Sequence, residues 1–266
     1  YGDEDFSFLH NYWQWNHVPD DSRWKLSNHR LILQTGKICN NVTQAPNTLT
    51  QRMPYPGGVV TVTVDGSALS DGDIAGLCML QSDYALAGIT KENGKYFLVK
   101  LAKDGVADGQ MNSKEDDSLP AVQEKIPLSS AKVTLRLKID FTRMKDTAVF
   151  EWKQDGNWQI LAEPFSLYFK LDHFCGVRPG LFCYATKELG GQAAFSDFTM
   201  RKEETDELLC VHGSGGGGAG LEESGQGGRR KIDRNDQVEG PAAADRLCAW
   251  RLQPDRHEKV FPDDDL

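Results

Sequence analysis

Val133-Thr134-Leu135-Arg136-Leu137-Lys138-Ile139-Asp140 alternates apolar and polar residues without a break. Successive side chains of an extended chain point to opposite faces, so the valine, leucines and isoleucine share one face while threonine, arginine, lysine and aspartate share the other. That is the pattern of a strand with one face in a core and one in water. Residues 59–64, valine and threonine in alternation before Asp65-Gly66, read the same way. Working outward, 31–35, 75–81, 85–90, 96–101, 148–153, 158–161, 180–184 and 193–200 are short strand-like runs separated by Gly, Asp and Asn. Lys91-Glu92-Asn93-Gly94 and Gln154-Asp155-Gly156-Asn157 are hairpin signals, because Asn-Gly and Asp-Gly accept the positive φ that a two-residue turn needs. No amphipathic helix of convincing length interrupts the series. Many short strands at close spacing predict an all-β fold, a two-sheet antiparallel β-sandwich. The stretch 104–127, rich in Asp, Lys and Ser, reads as a surface loop, with a lid as the alternative.

The chain has 266 residues and a formal charge of −9, unevenly spread. Residues 203–266 hold 15 acidic and 8 basic side chains, net −7, which leaves 24 acidic and 22 basic, net −2, before them. A nearly neutral folded part has no basic face, so nucleic acid is not expected as a partner. No apolar run approaches the roughly 18 residues of a membrane helix, so a membrane is not expected either. Tyr1-Gly2-Asp3-Glu4-Asp5 has neither the basic start nor the apolar stretch of a signal peptide. Composition divides the chain into a sandwich domain over 1–202, an acidic and glycine-rich linker over 203–228, and a segment over 229–266 expected to be a disordered tail. The cysteines, at 39, 78, 175, 183, 210 and 248, form no Cys-x-x-Cys pair, which excludes a zinc ribbon. Cys78 reads as a small buried hydrophobe, a Cys175–Cys183 disulfide is an open option, and Asn41-Val42-Thr43 fits the glycosylation sequon.

The candidate site begins at Trp13-Gln14-Trp15-Asn16-His17-Val18-Pro19, with Trp24 behind it. Alternate spacing puts both indoles on one side of an extended segment, and Asn16-His17 before Pro19 marks its turn. Indoles beside amide and imidazole groups suit stacking on a sugar ring; the competing reading is that Trp13, Trp15 and Trp24 are core aromatics.

These residues, with Asn47-Thr48-Leu49-Thr50-Gln51-Arg52, Gly72-Asp73-Ile74-Ala75-Gly76-Leu77, Asp172-His173-Phe174-Cys175-Gly176, Gly180-Leu181-Phe182-Cys183-Tyr184-Ala185 and Gly190-Gly191-Gln192-Ala193-Ala194-Phe195-Ser196-Asp197-Phe198, occur in order and at sensible spacing. Over about residues 5–200 the chain resembles the C-terminal concanavalin A-like domain of family 43 β-xylosidases and arabinofuranosidases. The resemblance implies a jelly-roll sandwich, in agreement with the strand reading. It implies an accessory role beside a five-bladed propeller, which carries the family's catalytic carboxylates, and a secreted or periplasmic setting from the family's substrates. It implies that Phe174 belongs to a loop that closes part of the sugar pocket, although Val177-Arg178-Pro179 departs from the family's aromatic pattern around the arginine. It also implies a structural calcium ion between the first and last strands, with Asp5 and Asp197 at its place; solvated strand-end aspartates are the alternative.

Three functions follow as expectations. One is a non-catalytic module that binds or positions xylan-type plant cell-wall oligosaccharides through Trp13, Trp15, Asn16, His17, Phe174 and Arg178. Another is a self-contained hydrolase on the sandwich, which needs two carboxylates about 5–9 Å apart in one cleft. The last is a purely structural partner domain. No pair of acidic residues at alternate strand positions stands out: Glu151 lies alone between Phe150 and Trp152, and Asp73 lies in a turn.

Overall fold

The computed structural model describes residues 1–103, 116–168 and 176–203. Its strands in chain order are β1 (Gln14–Trp15), β2 (Trp24–Leu26), β3 (Leu31–Gln34), β4 (Leu49–Thr50), β5 (Gly57–Asp65), β6 (Asp73–Leu80), β7 (Tyr84–Glu92), β8 (Lys95–Lys103), β9 (Ala121–Leu128), β10 (Lys132–Asp140), β11 (Thr147–Gln154), β12 (Asn157–Ile160), β13 (Phe165–Ser166), β14 (Arg178–Ala185) and β15 (Gln192–Lys202). They form two sheets, β1-β4-β14-β6-β7-β8-β9 and β12-β11-β10-β5-β15-β3-β2, with β13 beside β11. Neighbouring strands run antiparallel throughout, as in Leu137↔Val60 and Leu137↔Phe150. Among the described residues there is no α-helix, and none long and apolar enough to cross a membrane.

The core lies between the sheets. Val133, Leu135, Leu137 and Ile139 of β10 and Val60, Val62 and Val64 of β5 form its floor, and Ala75, Leu77, Met79, Ala87 and Ile89 its roof. The alternation of residues 133–140 is the cause: its register brings apolar residues side by side on the inward face, where cross-strand pairs stabilise the sheet. A second apolar cluster covers the outer face of the first sheet, where Cys78, Leu80, Tyr84, Leu86, Phe182 and Tyr184 pack under Cys39, Val42 and Ala45. Strands β6, β7 and β14 are therefore buried on both faces, which is why they read as continuous apolar runs. Both hairpin tips have the expected geometry, with φ of 49° and 73° at Asn93-Gly94 and 48° and 83° at Asp155-Gly156.

Three readings are corrected. The polar stretch is not loop throughout, since Ala121–Leu128 is a strand paired with β8. It forms the sheet's edge, so most of it is exposed, its alternation is muted, and Pro127 is tolerated. Cys183 is a buried free thiol facing the core, as Cys78 is a buried free thiol, and so it is not bridged to Cys175. Asn41 is fully buried and fastens a loop: Oδ1 accepts from the N–H (2.9 Å) and hydroxyl (2.6 Å) of Thr43, and Nδ2 donates to the carbonyls of Asp116 (2.8 Å) and Ser118 (2.9 Å). It presents no amide to a glycosylating enzyme. Cys175 and the linker and tail lie outside the described residues.

Candidate functional site

The Trp-Gln-Trp-Asn string places its indoles inward and its amides outward. Trp13 is only 8% exposed. Its ring centroid lies 4.8 Å from Phe198 and 6.4 Å from Phe6, and its Nε1–H donates to Glu4 at 2.9 Å. Trp13 is thus a core residue with its polar handle satisfied, and its assignment as a sugar platform is corrected. Trp15, half-buried, leans on the same core and packs 5.1 Å from Trp24.

On the opposite side, Gln14 and Asn16 receive Arg178, the first residue of β14. Its Nη1 donates to Gln14 Oε1 and its Nη2 to Asn16 Oδ1, both at 3.2 Å. Arg178 is 8% exposed, and its buried Nε has no hydrogen-bond partner among the described residues. Arginine remains charged at any ordinary pH, and here it is held by two neutral amides rather than by a carboxylate. Because Asn16 Oδ1 accepts from the arginine, its Nδ2 is the end 3.3 Å from His17 Nε2. That ring nitrogen lies 2.7 Å from the Thr43 carbonyl, which only a donor satisfies. Nε2 of exposed His17 therefore donates to Thr43, and its 3.3 Å approach to Asn16 Nδ2 sets donor beside donor, a contact rather than a hydrogen bond. Asn16, His17 and Arg178 are brought together with Gln14, which sequence reasoning left out although its alternation with Asn16 signalled a shared polar side. Phe174 lies outside the described residues.

The acidic candidates are otherwise engaged. Glu151 is ion-paired with Arg136 and, at 3.3 Å, with Lys138, while the Arg136 guanidinium stacks 4.0 Å from the centre of the Trp158 ring. Such a carboxylate, engaged by two cations on the outer face of its sheet, has no second acidic partner across a cleft. Asp73 is buried at the start of β6, with Oδ2 accepting from Ser70 N–H at 2.8 Å and Oδ1 without a hydrogen-bond partner among the described residues. Burial pushes its carboxyl up to about 6, against the opposing Ser70 hydrogen bond; Glu188 adds to the rise and Lys91 opposes it. Between its ordinary value and about 6 the native state keeps a proton that the unfolded chain has lost, so stability falls as pH rises through that window. Asp73→Asn is expected to raise stability by roughly 1–2 kcal/mol at pH 7.5 and to leave it unchanged near pH 3.5. Melting curves at both pH values check this; an equal effect at each would refute it.

The family profile described as the beta xylosidase C-terminal concanavalin A-like domain matches residues 3–201. The chain belongs to this family. A beta-xylosidase of Formosa agariphila is 25% identical to this C-terminal domain over 222 residues, covering 74% of this chain and 34% of the relative. Among solved structures, a bifunctional GH43-CE protein of Bacteroides eggerthii is 35% identical, with a TM-score of 0.66, over 74% of this chain and 24% of the other. A GH43 glycoside hydrolase engineered to display both endo-xylanase and exo-arabinofuranosidase activity is 26% identical, with a TM-score of 0.68, over 75% of this chain and 40% of the other. The chain thus spans about a quarter to two fifths of these relatives.

In this concanavalin A-like domain Asp5 and Asp197 flank the antiparallel bridge between Glu4 and Phe198, so they meet at one strand edge. Asp5 Oδ1 accepts from the N–H (2.9 Å) and hydroxyl (2.7 Å) of Ser7, and its Oδ2 lies 3.8 Å from His29 Nδ1. Asp197 Oδ2 accepts from the Ser196 hydroxyl at 2.9 Å. Both carboxylates are exposed, and among the described residues no three His, Cys, Asp or Glu side chains gather as a metal-binding group. Calcium takes six to eight oxygens. The two carboxylates suit that ion in kind and supply two of its oxygen-bearing groups, with backbone carbonyls and waters the usual source of the others.

Proposed function

We propose that this domain is an accessory, non-catalytic module that helps a family 43 propeller bind or position xylan-derived oligosaccharides. The observation that carries the reading is Arg178, a buried cation with neutral amides for partners and an unpaired Nε. Each Nη carries a second N–H beyond the one given to Gln14 or Asn16, and such donors suit the hydroxyl and ring oxygens of a sugar. Asn16 and His17 extend the polar surface beside it; Phe174 enters the reading through the family resemblance alone. The relatives named above support xylan-type carbohydrate as the class, through the beta-xylosidase and endo-xylanase activities in their descriptions.

Isothermal titration of the 266-residue chain with xylotriose, cellotriose and arabinotriose tests the proposal. Heat is expected with xylotriose, and Arg178→Ala is expected to weaken binding about ten-fold, or about 1.4 kcal/mol, the value of a charge-assisted hydrogen bond. A circular dichroism spectrum like that of the parent keeps the variant interpretable. No heat with any of the sugars would remove the binding claim.

A further inference from the structure

On the outer face of the second sheet, Lys25, Ile32, Ala194 and Asp65 are aligned across β2, β3, β15 and β5. Ala194 points outward between the buried Ala193 and Phe195, and its single methyl leaves a hollow of about 230 Å3 between larger neighbours. Arg30 lines it too, and the chain fixes that residue firmly. Asn28 and His29 both have positive φ, 53° and 54°, and Ser27 and Arg30 exchange backbone hydrogen bonds of 2.9 and 3.1 Å across them, which makes a tight two-residue hairpin. The row thus has Lys25 at one end, with Arg30 beside it, an apolar floor of Ile32 and Ala194, and Asp65 at the other end, with Gln192 completing the wall.

The cations are what ask for an explanation. Arg30 is half-buried, and neither its guanidinium nor the Lys25 ammonium has a hydrogen bond or ion pair among the described residues. Asp65 does not meet them: its Oδ1 accepts from Ser67 N–H at 3.0 Å, and Lys132 stands opposite it on β10. The row therefore carries more positive than negative charge. We infer that this hollow binds a sugar acid, a pyranose ring that bears a carboxylate, such as a uronic acid. The guanidinium fork and the ammonium take the carboxylate. The C–H face of the ring lies on Ile32 and Ala194, and its hydroxyls reach Asp65 and Gln192. A neutral sugar would leave both cations unanswered, a bare anion would leave the floor and Asp65 unused, and a fatty acid would set an apolar chain against Asp65 and Gln192. That the anion is a sugar rests on the proposed function, whereas the site lies on the other sheet from Arg178.

Isothermal titration of the 266-residue chain at low ionic strength with D-glucuronate, D-glucose and acetate tests this. Glucuronate is expected to bind at least about ten-fold more tightly than either of the others, and added salt to weaken it. Arg30→Gln removes a side chain that the fold does not use and should weaken glucuronate about ten-fold. Ala194→Leu fills the hollow and should abolish binding, and Arg178→Ala should leave it intact. Circular dichroism checks that each variant is folded. Glucose binding as tightly as glucuronate would mean that the cations read nothing, and acetate doing so would mean a plain anion patch; either result overturns the inference. So would glucuronate binding that both Arg30→Gln and Ala194→Leu retain. Heat from xylotriose that depends on Arg178, without any from glucuronate, removes this site and keeps the proposed function. Glucuronate binding lost in Arg30→Gln, without heat from xylotriose, keeps the site and removes the role of Arg178.

Discussion

Glu4→Ala is expected to destabilise the sandwich by about 3–5 kcal/mol, the range found when one partner of a buried charged network is removed. For a folded unit of this size that lowers the melting midpoint by roughly 10 °C or more. Glu4 is 3% exposed, and its backbone N–H donates to the Phe198 carbonyl at 3.1 Å, tying the N-terminal segment to β15. Its carboxylate accepts from Phe6 N–H at 3.1 Å, His10 N–H at 3.3 Å and Trp13 Nε1–H at 2.9 Å, and it faces His10 Nδ1 at 2.9 Å. Alanine leaves the buried indole N–H and the Phe6 amide without acceptors, and each such orphan costs about 1–3 kcal/mol. Glu4→Gln keeps one carbonyl oxygen and should lose about half as much. Trp13→Phe keeps the ring packing but deletes one donor, so a cycle with Glu4→Gln isolates the indole–carboxylate bond. Urea unfolding followed by circular dichroism measures all three. A loss below about 1 kcal/mol for Glu4→Ala, within the range of ordinary substitutions, would mean that residues 4–13 are not fastened through this carboxylate. Because Trp13 adjoins Gln14, the same variant should also loosen the platform beneath Arg178.

The fold was more legible than the site, for a physical reason. A half-buried strand such as 133–140 writes its environment into its own alternation, and a tight hairpin demands Asn-Gly or Asp-Gly at its tip. Both signals are local. Strand β9 escaped because an edge strand has no deeply buried face and so no strong alternation. At Trp13 and Trp15 the alternation correctly implied a shared side, but a period of two cannot say whether that side meets water or the other sheet. The answer depends on Phe198, which lies far away in sequence. Arg178 was singled out through the resemblance alone, since its amide partners are 164 and 162 residues away. The close approach of β6 and β7 was likewise hidden, because it exists only when Gly76 and Gly88 fall into register.

That register makes Gly76→Ala the most damaging single-methyl substitution expected in the sheet. A Cβ built at residue 76 would sit 2.0 Å from the Ala87 carbonyl oxygen and 2.5 Å from Gly88 Cα. Both obstacles are backbone of the neighbouring strand, so no side-chain rotation relieves them. Overpacking ordinarily costs about 1–3 kcal/mol where neighbours can shift. Here β7 would have to part from β6, and a loss at or above the top of that range, about 3 kcal/mol, is expected. Gly88→Ala meets the Ala75 carbonyl oxygen at 2.5 Å and should behave alike. Gly94→Ala is the control: its φ is +73° but nothing lies within 4 Å of the new methyl, so only the left-handed backbone penalty of about 1–2 kcal/mol applies. Denaturant unfolding of the three variants should therefore rank both sheet glycines well above the turn glycine. The reverse order would mean that β6 and β7 separate easily at that row.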